Sequence, residues 1–289
     1  MDQFYKAIIA MKRILISIMV IIGTLSLSAQ NLVKNPGFEE YFHLPDMKYY
    51  NEEKYIDSAF ICKYWHRVRE TTPDYYHTES SEPNFAIPDG HFGYQPVISG
   101  NAYLGLGPIN LDGAFELISG ELIQPLNPGE IYKISFKYRF AGSSCYWKLD
   151  KLEVLITQNI DRFKKFYLMP STTDVMSPDI KANVNIVDTV NNDGDWHTLN
   201  GTYKAIGGEK FISLGIFYQD KMFYKAMNEY LDNFCSGNYN RISENKFNKK
   251  HKKLFIKPNQ NYKPIPSVAM KLSYYFIDDV SVVNVNSMK

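Results

Sequence analysis

The sequence predicts an all-β protein built as a β-sandwich, and three observations support this prediction. The stretch Glu130–Ala141 alternates strictly between apolar and polar residues, which is typical of a strand with one face on a core and the other in water. About ten short stretches of strand character are separated by glycine and proline turns. Tyrosine, phenylalanine and tryptophan make up 15% of the chain, and β-sandwiches bury such rings while tyrosine hydroxyls stay wet.

Residues 1–29 are predicted to be a secretory signal peptide that precedes the domain. Met11–Ala29 has a basic start, a short apolar run and a small-residue end. Met11 is an alternative start site for translation. The apolar run is too short to span a bilayer, and no later stretch approaches ~18 apolar residues, so no transmembrane segment is expected. The protein is therefore expected to be exported.

Residues 30–289 are predicted to form a single domain of short strands joined by turns. The predicted strands are, in chain order, Asn31–Phe42, Cys62–Arg69, Ala102–Leu106, Ala114–Ile123, Glu130–Ala141, Lys151–Gln158, Asn183–Val190, Trp196–Ala205, Lys210–Gln219 and Ser273–Val285. Gly107-Pro108 is expected to break the strand that begins at Ala102. Gly207-Gly208 is expected to close a hairpin between its flanking strands.

Residues 220–272 are expected to be a partly helical insertion before the last strand. Asp220–Phe234 has apolar residues at helical spacing, and Lys246–Lys257 contains six lysines. The lysine run is interpreted as a solvated loop or, alternatively, as a contact with an acidic surface such as lipopolysaccharide or an anionic glycan.

Two pairs of adjacent carboxylates lie near the two ends of the predicted domain. Asp278 and Asp279 interrupt the last strand, and Glu39 and Glu40 lie in the first. An unpaired charge in a strand that closes a core is costly, so the acids of the last strand need partners. We expect the first and last strands to come together and to share a cation or a hydrogen-bond network.

Charge and cysteine content restrict the environment and the partners. The formal net charge of the chain is +1, so a general electrostatic affinity for nucleic acid is not expected. The three cysteines, Cys62, Cys145 and Cys235, allow one disulfide and one free thiol, and the sequence leaves the pairing open.

An ordered set of short motifs resembles a known family. The motifs are NLV and NPGFEE within Asn31–Glu40, Trp65, PDYY at Pro73–Tyr76, GYQ at Gly93–Gln95, GNAY at Gly100–Tyr103, Trp196, GGE at Gly207–Glu209 and IDDVS at Ile277–Ser281. The set resembles the N-terminal domain of Gram-negative surface proteins, some of which have a peptidoglycan-binding domain downstream. That domain is similar to the galactose-binding-like jelly rolls that serve as carbohydrate-binding modules on xylanases and cellulases.

The resemblance covers residues 31–219 and 273–285 and implies a fold, a metal and a location. It implies a jelly-roll sandwich in the periplasm, on the outer-membrane surface or outside the cell. It also implies a structural calcium between Glu39 and either Asp278 or Asp279, with backbone carbonyls completing the oxygen ligands that calcium prefers. The alternative is that these acids accept backbone hydrogen bonds or remain in water.

The resemblance further implies a non-catalytic module that binds carbohydrate by stacking sugar rings on exposed aromatic side chains. The candidates for this platform are Trp65, Tyr75, Tyr76, Tyr94, Tyr146 and Trp147. No nucleophile elbow, zinc-protease motif or phosphate loop is present in the sequence, so no enzymatic activity is expected. The alternative function is a structural or adhesive protein of the cell envelope that binds no sugar.

Overall fold

A computed structural model describes residues 30–45, 61–67, 73–90, 92–110, 116–141, 147–160, 180–217 and 271–288. Twelve strands lie in these ranges: β1 (Trp65–Arg67), β2 (Asp74–His77), β3 (Asp89–Gly90), β4 (Gly93–Tyr94), β5 (Ala102–Asn110), β6 (Leu117–Glu121), β7 (Ile131–Phe140), β8 (Glu153–Thr157), β9 (Asn185–Ile186), β10 (His197–Lys204), β11 (Phe211–Gly215) and β12 (Lys271–Asn284). Single 3-10 turns occur at Pro83–Phe85 and Val285–Met288. The predicted signal peptide, Tyr146, Cys145, Cys235 and residues 220–270 lie outside the described residues.

The strands form two antiparallel sheets, which confirms the all-β prediction and is consistent with a β-sandwich. One sheet has the order β1-β6-β11-β8 and the other the order β2-β5-β12-β7-β10-β9, and β3 and β4 form a separate small ribbon. Apolar side chains of both sheets belong to one core, for example Ile118 and Leu214 of the first sheet and Phe136 and Ile277 of the second. The alternation predicted for Glu130–Ala141 is confirmed in β7, whose even-numbered side chains are all buried.

The expected break at Gly107-Pro108 is wrong, because β5 continues to Asn110. The ladder between β5 and β12 skips both residues, with Leu106 opposite Tyr275 and Ile109 opposite Ser273. Proline lacks a backbone N–H, and Pro108 is tolerated because the ladder needs no hydrogen-bond donor at this irregular position. The Gly107 N–H donates instead to the Glu116 carboxylate at 2.6 Å.

The expected hairpin across Gly207-Gly208 is also wrong. β10 pairs with β7 and β9, whereas β11 pairs with β6 and β8, so the connection crosses from one sheet to the other. Both glycines have positive φ, 104° and 84°, which gives the chain the corner it needs to change sheets. Alternating strands on both sides of a glycine turn match a hairpin and a sheet-to-sheet corner equally well.

The segment Asn31–Phe42 is not a strand, although it does meet the last strand as predicted. The Leu32 N–H donates to the Val282 carbonyl at 2.8 Å, and the Lys34 N–H donates to the Glu121 carbonyl of the other sheet at 2.9 Å. The segment therefore connects the two sheets at one end of the sandwich. Positive φ at Asn35 and Phe38 breaks any regular ladder.

The last strand is the centre of the larger sheet, where β12 lies between β5 and β7. It begins at Lys271, so the last two residues of the predicted insertion belong to the strand. A register shift between Asp278 and Ser281 marks a β-bulge opposite β7, and Asp279 takes a left-handed conformation there with φ 48°.

Candidate functional site

The acid pair of the last strand lies in the β12 bulge, against the loop that precedes β5. The Ser99 hydroxyl donates to Asp279 Oδ1 at 3.0 Å and has a second contact with Asp278 Oδ2 at 3.3 Å. The Asp279 N–H donates to Asp278 Oδ1 at 2.7 Å. Glu39 reaches the same loop, where its Oε1 accepts the N–H groups of Asn101 and Ala102 at 2.8 and 3.2 Å. The acids from both ends of the domain therefore accept hydrogen bonds from the same loop, through different residues of it.

Asp278 is the buried member of this group of acids. Burial raises the pKa of Asp278 to about 8, and the charges of Asp279 and Glu39 act in the same direction, against the hydrogen bonds from the Asp279 N–H and the Ser99 hydroxyl. No salt bridge to Glu39, Asp278 or Asp279 occurs among the described residues. The Asp278 carboxyl therefore holds its proton to a higher pH than an ordinary aspartate does.

The donor chemistry of these acids suits calcium, but their placement supplies only part of a ligand set. A Cβ built on Gly37 would lie 3.7 Å from Asp278 Oδ1 and 3.8 Å from Asp279 Oδ1, so both oxygens face one small space. Glu39 Oε1 is already held by two backbone amides. Within the described ranges no group of three or more acidic, histidine or cysteine side chains is placed to hold a metal ion. The predicted calcium therefore stays a prediction.

Three of the six predicted stacking aromatics are buried, and their assignment to an exposed platform is wrong. The Trp65 ring packs on Phe38 with ring centroids 4.8 Å apart, and its N–H donates to the Asn35 carbonyl at 2.9 Å. The Tyr75 hydroxyl donates to the Phe38 carbonyl at 2.9 Å inside the sandwich. These rings hold the turn at Asn35, and a sugar cannot reach them.

Tyr76 is buried on the opposite face of the sheet, where its ring lies 5.1 Å from that of Tyr103. Tyr94 is 67% exposed and remains available to a ligand, whereas Trp147 is half-buried and packs against the core. Tyr146 lies outside the described residues. Tyr94 is thus the one exposed ring among the predicted aromatics that the structure describes, and these residues form no exposed stacking platform.

Cys62 is a free, buried thiol, which places it outside any disulfide. Burial raises the pKa of the Cys62 thiol, and the Asn35 side-chain amide donates to its sulfur at 3.2 Å. The neutral thiol is a packing element of the turn at Asn35.

The outer face of the larger sheet, which points away from the other sheet, is covered over β2, β5 and the first half of β12. Phe92 stacks on Tyr274 with ring centroids 3.6 Å apart, and the Tyr103 hydroxyl donates to the Gln95 carbonyl at 3.0 Å. The Tyr274 hydroxyl also donates to Asp74 beneath this cover. Phe92 and Gln95, which precede β5, therefore cover the aromatic rings on this part of the outer face.

The rest of the outer face, over β12, β7 and β10, is open and polar. The cross-strand rows on this open face are Asp278–Lys137–Thr198, Ser281–Ser135–Asn200 and Val283–Lys133–Thr202, with Arg139 and Lys204 at its two ends. Lys133, Thr198, Thr202 and Lys204 are exposed, and Ser135, Lys137 and Arg139 are half-buried. The alternation in Glu130–Ala141 predicts that this side of β7 faces water. The predicted ligand site was placed on aromatic residues and did not include this polar side.

Comparisons with protein families and with curated proteins assign no function to this site. No protein-family model matches the chain, and no curated protein matches it in sequence. In the part of the chain that the structure describes, no helix is long and apolar enough to span a membrane.

Proposed function

We propose that this protein is an exported, non-catalytic module that binds carbohydrate on a galactose-binding-like jelly roll with a partly helical insertion that ends before Lys271. The basic and apolar start of the sequence supports export to the periplasm, the outer-membrane surface or the exterior. The ordered motifs support the jelly roll, and the antiparallel sheets are compatible with it.

The open face of β12, β7 and β10 is the observation that carries this proposal. On β7 and β10 it presents the hydroxyls of Ser135, Thr198 and Thr202, the amide of Asn200 and the cations of Lys133 and Lys137. Sugars expose many hydroxyl groups, and a row of donors and acceptors on a rigid sheet recognises them with little ordering cost. Exposed Tyr94 lies on the segment that borders this face and offers a ring for stacking.

A pull-down with insoluble polysaccharides and a glycan array tests the proposal. The test variant is Ser135→Ala combined with Thr198→Val, which removes two hydroxyls from the open face. Thr157→Val is the matched control, because the Thr157 hydroxyl in the other sheet is buried without a hydrogen-bond partner. We expect the double variant to weaken binding about tenfold, since each lost hydrogen bond contributes roughly 0.5–1.5 kcal/mol.

Two outcomes would contradict the proposal. Absence of binding to every glycan would remove carbohydrate as the ligand. Hydrolysis of chromogenic glycosides or esters by the purified protein would remove the non-catalytic assignment.

An adhesive function without sugar is the second candidate, and an apolar corner of the sandwich favours it. Ile131 at the start of β7, Ile206 beyond β10 and Val285 beyond β12 are all exposed. Such side chains suit a protein partner in the cell envelope. Capture of one envelope protein that is lost with Ile131→Ser and Ile206→Ser, together with no glycan binding, would support this candidate.

We also propose, from the family resemblance, that calcium joins the two ends of the domain. Glu39 and either Asp278 or Asp279 would hold it with nearby backbone carbonyls, and the ion would supply positive charge to a cluster of acids.

A further inference from the structure

We propose that the ligand of the open face is a polyanionic polysaccharide, one that carries carboxylate or sulfate groups along its chain. This inference rests on the proposed carbohydrate-binding function and names the class of sugar. It follows from the placement of cations on the face and from the distance that they span.

Four cations lie on the open face. Lys133, Lys137 and Arg139 occupy alternate positions of β7 on its outer side, and Lys204 lies at the end of β10, opposite Ile131. No salt bridge to any of the four is present among the described residues. Unpaired cations concentrated on one surface produce a positive potential that attracts an anion and selects against neutral or cationic partners.

The acids near this face do not neutralise it. Asp188 lies at its edge and accepts both the backbone and the side-chain N–H groups of Asn200, at 2.8 and 3.0 Å. Asp278 lies opposite Lys137 in the ladder, but it is buried, and its carboxylate oxygens contact the Ser99 hydroxyl and the Asp279 N–H and form no salt bridge with Lys137. Asp279 is turned toward Ser99 by the bulge. The four cations outnumber Asp188 at the edge and the buried Asp278, so the open face keeps a positive excess although the whole chain is nearly neutral.

The length of the cationic row indicates a polymer and not a small anion. Lys133 and Arg139 are six residues apart on one strand, which places their Cα atoms roughly 20 Å apart. One phosphate or one uronate would touch a single cation of this row. An extended chain with repeated charges would meet several at once while its hydroxyls contact Ser135 and Thr198 between them.

Binding to polygalacturonate, dextran sulfate, fully methyl-esterified pectin and neutral dextran tests the inference, with the purified full chain measured at low and high salt. The test variant is Lys133→Gln with Lys137→Gln. The control is Lys148→Gln with Lys210→Gln, which removes the same charge from exposed lysines away from the open face. Thermal unfolding of both variants checks that each is folded.

We expect tight binding to polygalacturonate, to dextran sulfate or to both, at least tenfold above the two neutral polymers. The test variant should weaken it about tenfold, the control should not, and high salt should weaken it in the wild type. A preference for polygalacturonate would identify carboxylate as the recognised group, and a preference for dextran sulfate would identify sulfate.

Three other results would overturn the inference. Equal binding to methyl-esterified pectin would leave the carbohydrate function standing and remove the anionic specificity. Absence of binding to all of the polymers and to every glycan on the array would contradict both the carbohydrate-binding function and the anionic specificity. Equal or tighter binding to single-stranded DNA would assign a general polyanion surface instead of a glycan site.

Discussion

The carboxyl of Asp278 is buried in the β12 bulge with two further acids close by. Its folded-state pKa is raised to about 8, whereas an unfolded aspartate titrates near ~4. Between these values the folded protein keeps a proton that the unfolded chain has lost. The stability contributed by this group is therefore complete below pH ~4 and falls as the pH rises toward 8.

Replacing Asp278 by asparagine should remove this pH dependence. Urea unfolding of the wild type should lose up to about 1.4 kcal/mol per pH unit between pH 5 and 8, since that is the free energy of one pKa unit. Asp278→Asn keeps the shape of the side chain and stays neutral. The free energy of unfolding of this variant should therefore change less with pH over this range, and at pH 8 the variant should be at least as stable as the wild type. Exposed Asp89→Asn is the control and should follow the wild type. A slope that survives in Asp278→Asn would show that another group titrates.

At the scale of elements, the connection from β10 to β11 depends on one buried carboxylate. Glu209 accepts the Tyr203 hydroxyl at 2.6 Å and the N–H groups of Ile206 and Gly207 at 2.7 and 2.9 Å. Burial acts to raise the pKa of Glu209, but these hydrogen bonds outweigh it and hold the pKa below its ordinary value. The ionised side chain thus fixes the corner where the chain changes sheets.

We expect Glu209→Gln to destabilise the fold by about 2 kcal/mol, because an amide group replaces an acceptor and leaves a buried donor unsatisfied. Urea unfolding at pH 7 measures this loss. Tyr203→Phe is the comparison, since it removes one donor and keeps the carboxylate with its two backbone partners. A Glu209→Gln variant as stable as Tyr203→Phe would mean that the corner is held by its glycines alone.

Strands were predictable where the pattern is local, and their partners were not. Strict alternation in β7 and the aromatic run of β12 identify both strands from sequence. The hairpin error at Gly207-Gly208 arose because strand alternation does not encode which sheet a strand joins. Tyr75 and Tyr76 were misassigned for a related reason, since neighbouring residues face opposite sides of a strand and both sides are covered here.

The site was predictable in one part only. The acids near the two ends of the domain could be expected to meet, because a buried acid needs a partner. The open cationic face was visible as the polar side of β7, yet its extent depends on β10 and β12 lying beside β7, and only the topology reveals that.

At the scale of the whole molecule, the segment from residue 31 to 42 links both sheets to the last strand. The Asn31 side chain donates to the Val280 carbonyl and accepts the Val282 N–H, and the Val280 N–H donates to the Pro36 carbonyl at 2.9 Å. We therefore expect the ends of the domain to unfold together with its central strand. A cation at the acid cluster would strengthen this link.

Calcium and the Asp278 proton make opposite predictions for the whole fold, and thermal unfolding separates them. Calcium requires ionised carboxylates, so its stabilisation should grow from pH 6 to pH 8, while the chelated protein loses stability over the same range. At a calcium concentration a hundred times its dissociation constant the gain is about 2.7 kcal/mol, which raises the melting temperature by several degrees. Magnesium should raise the melting temperature of the chelated protein less than calcium does, because magnesium demands stricter octahedral geometry.

Asp279→Asn should lose the calcium response, and the control Asp89→Asn should keep it. The same melting temperature in chelator and in calcium at pH 8 would contradict the predicted ion. In that case the hydrogen bonds of Ser99 with Asp278 and Asp279, together with the retained proton, are what holds the acids of the last strand in place.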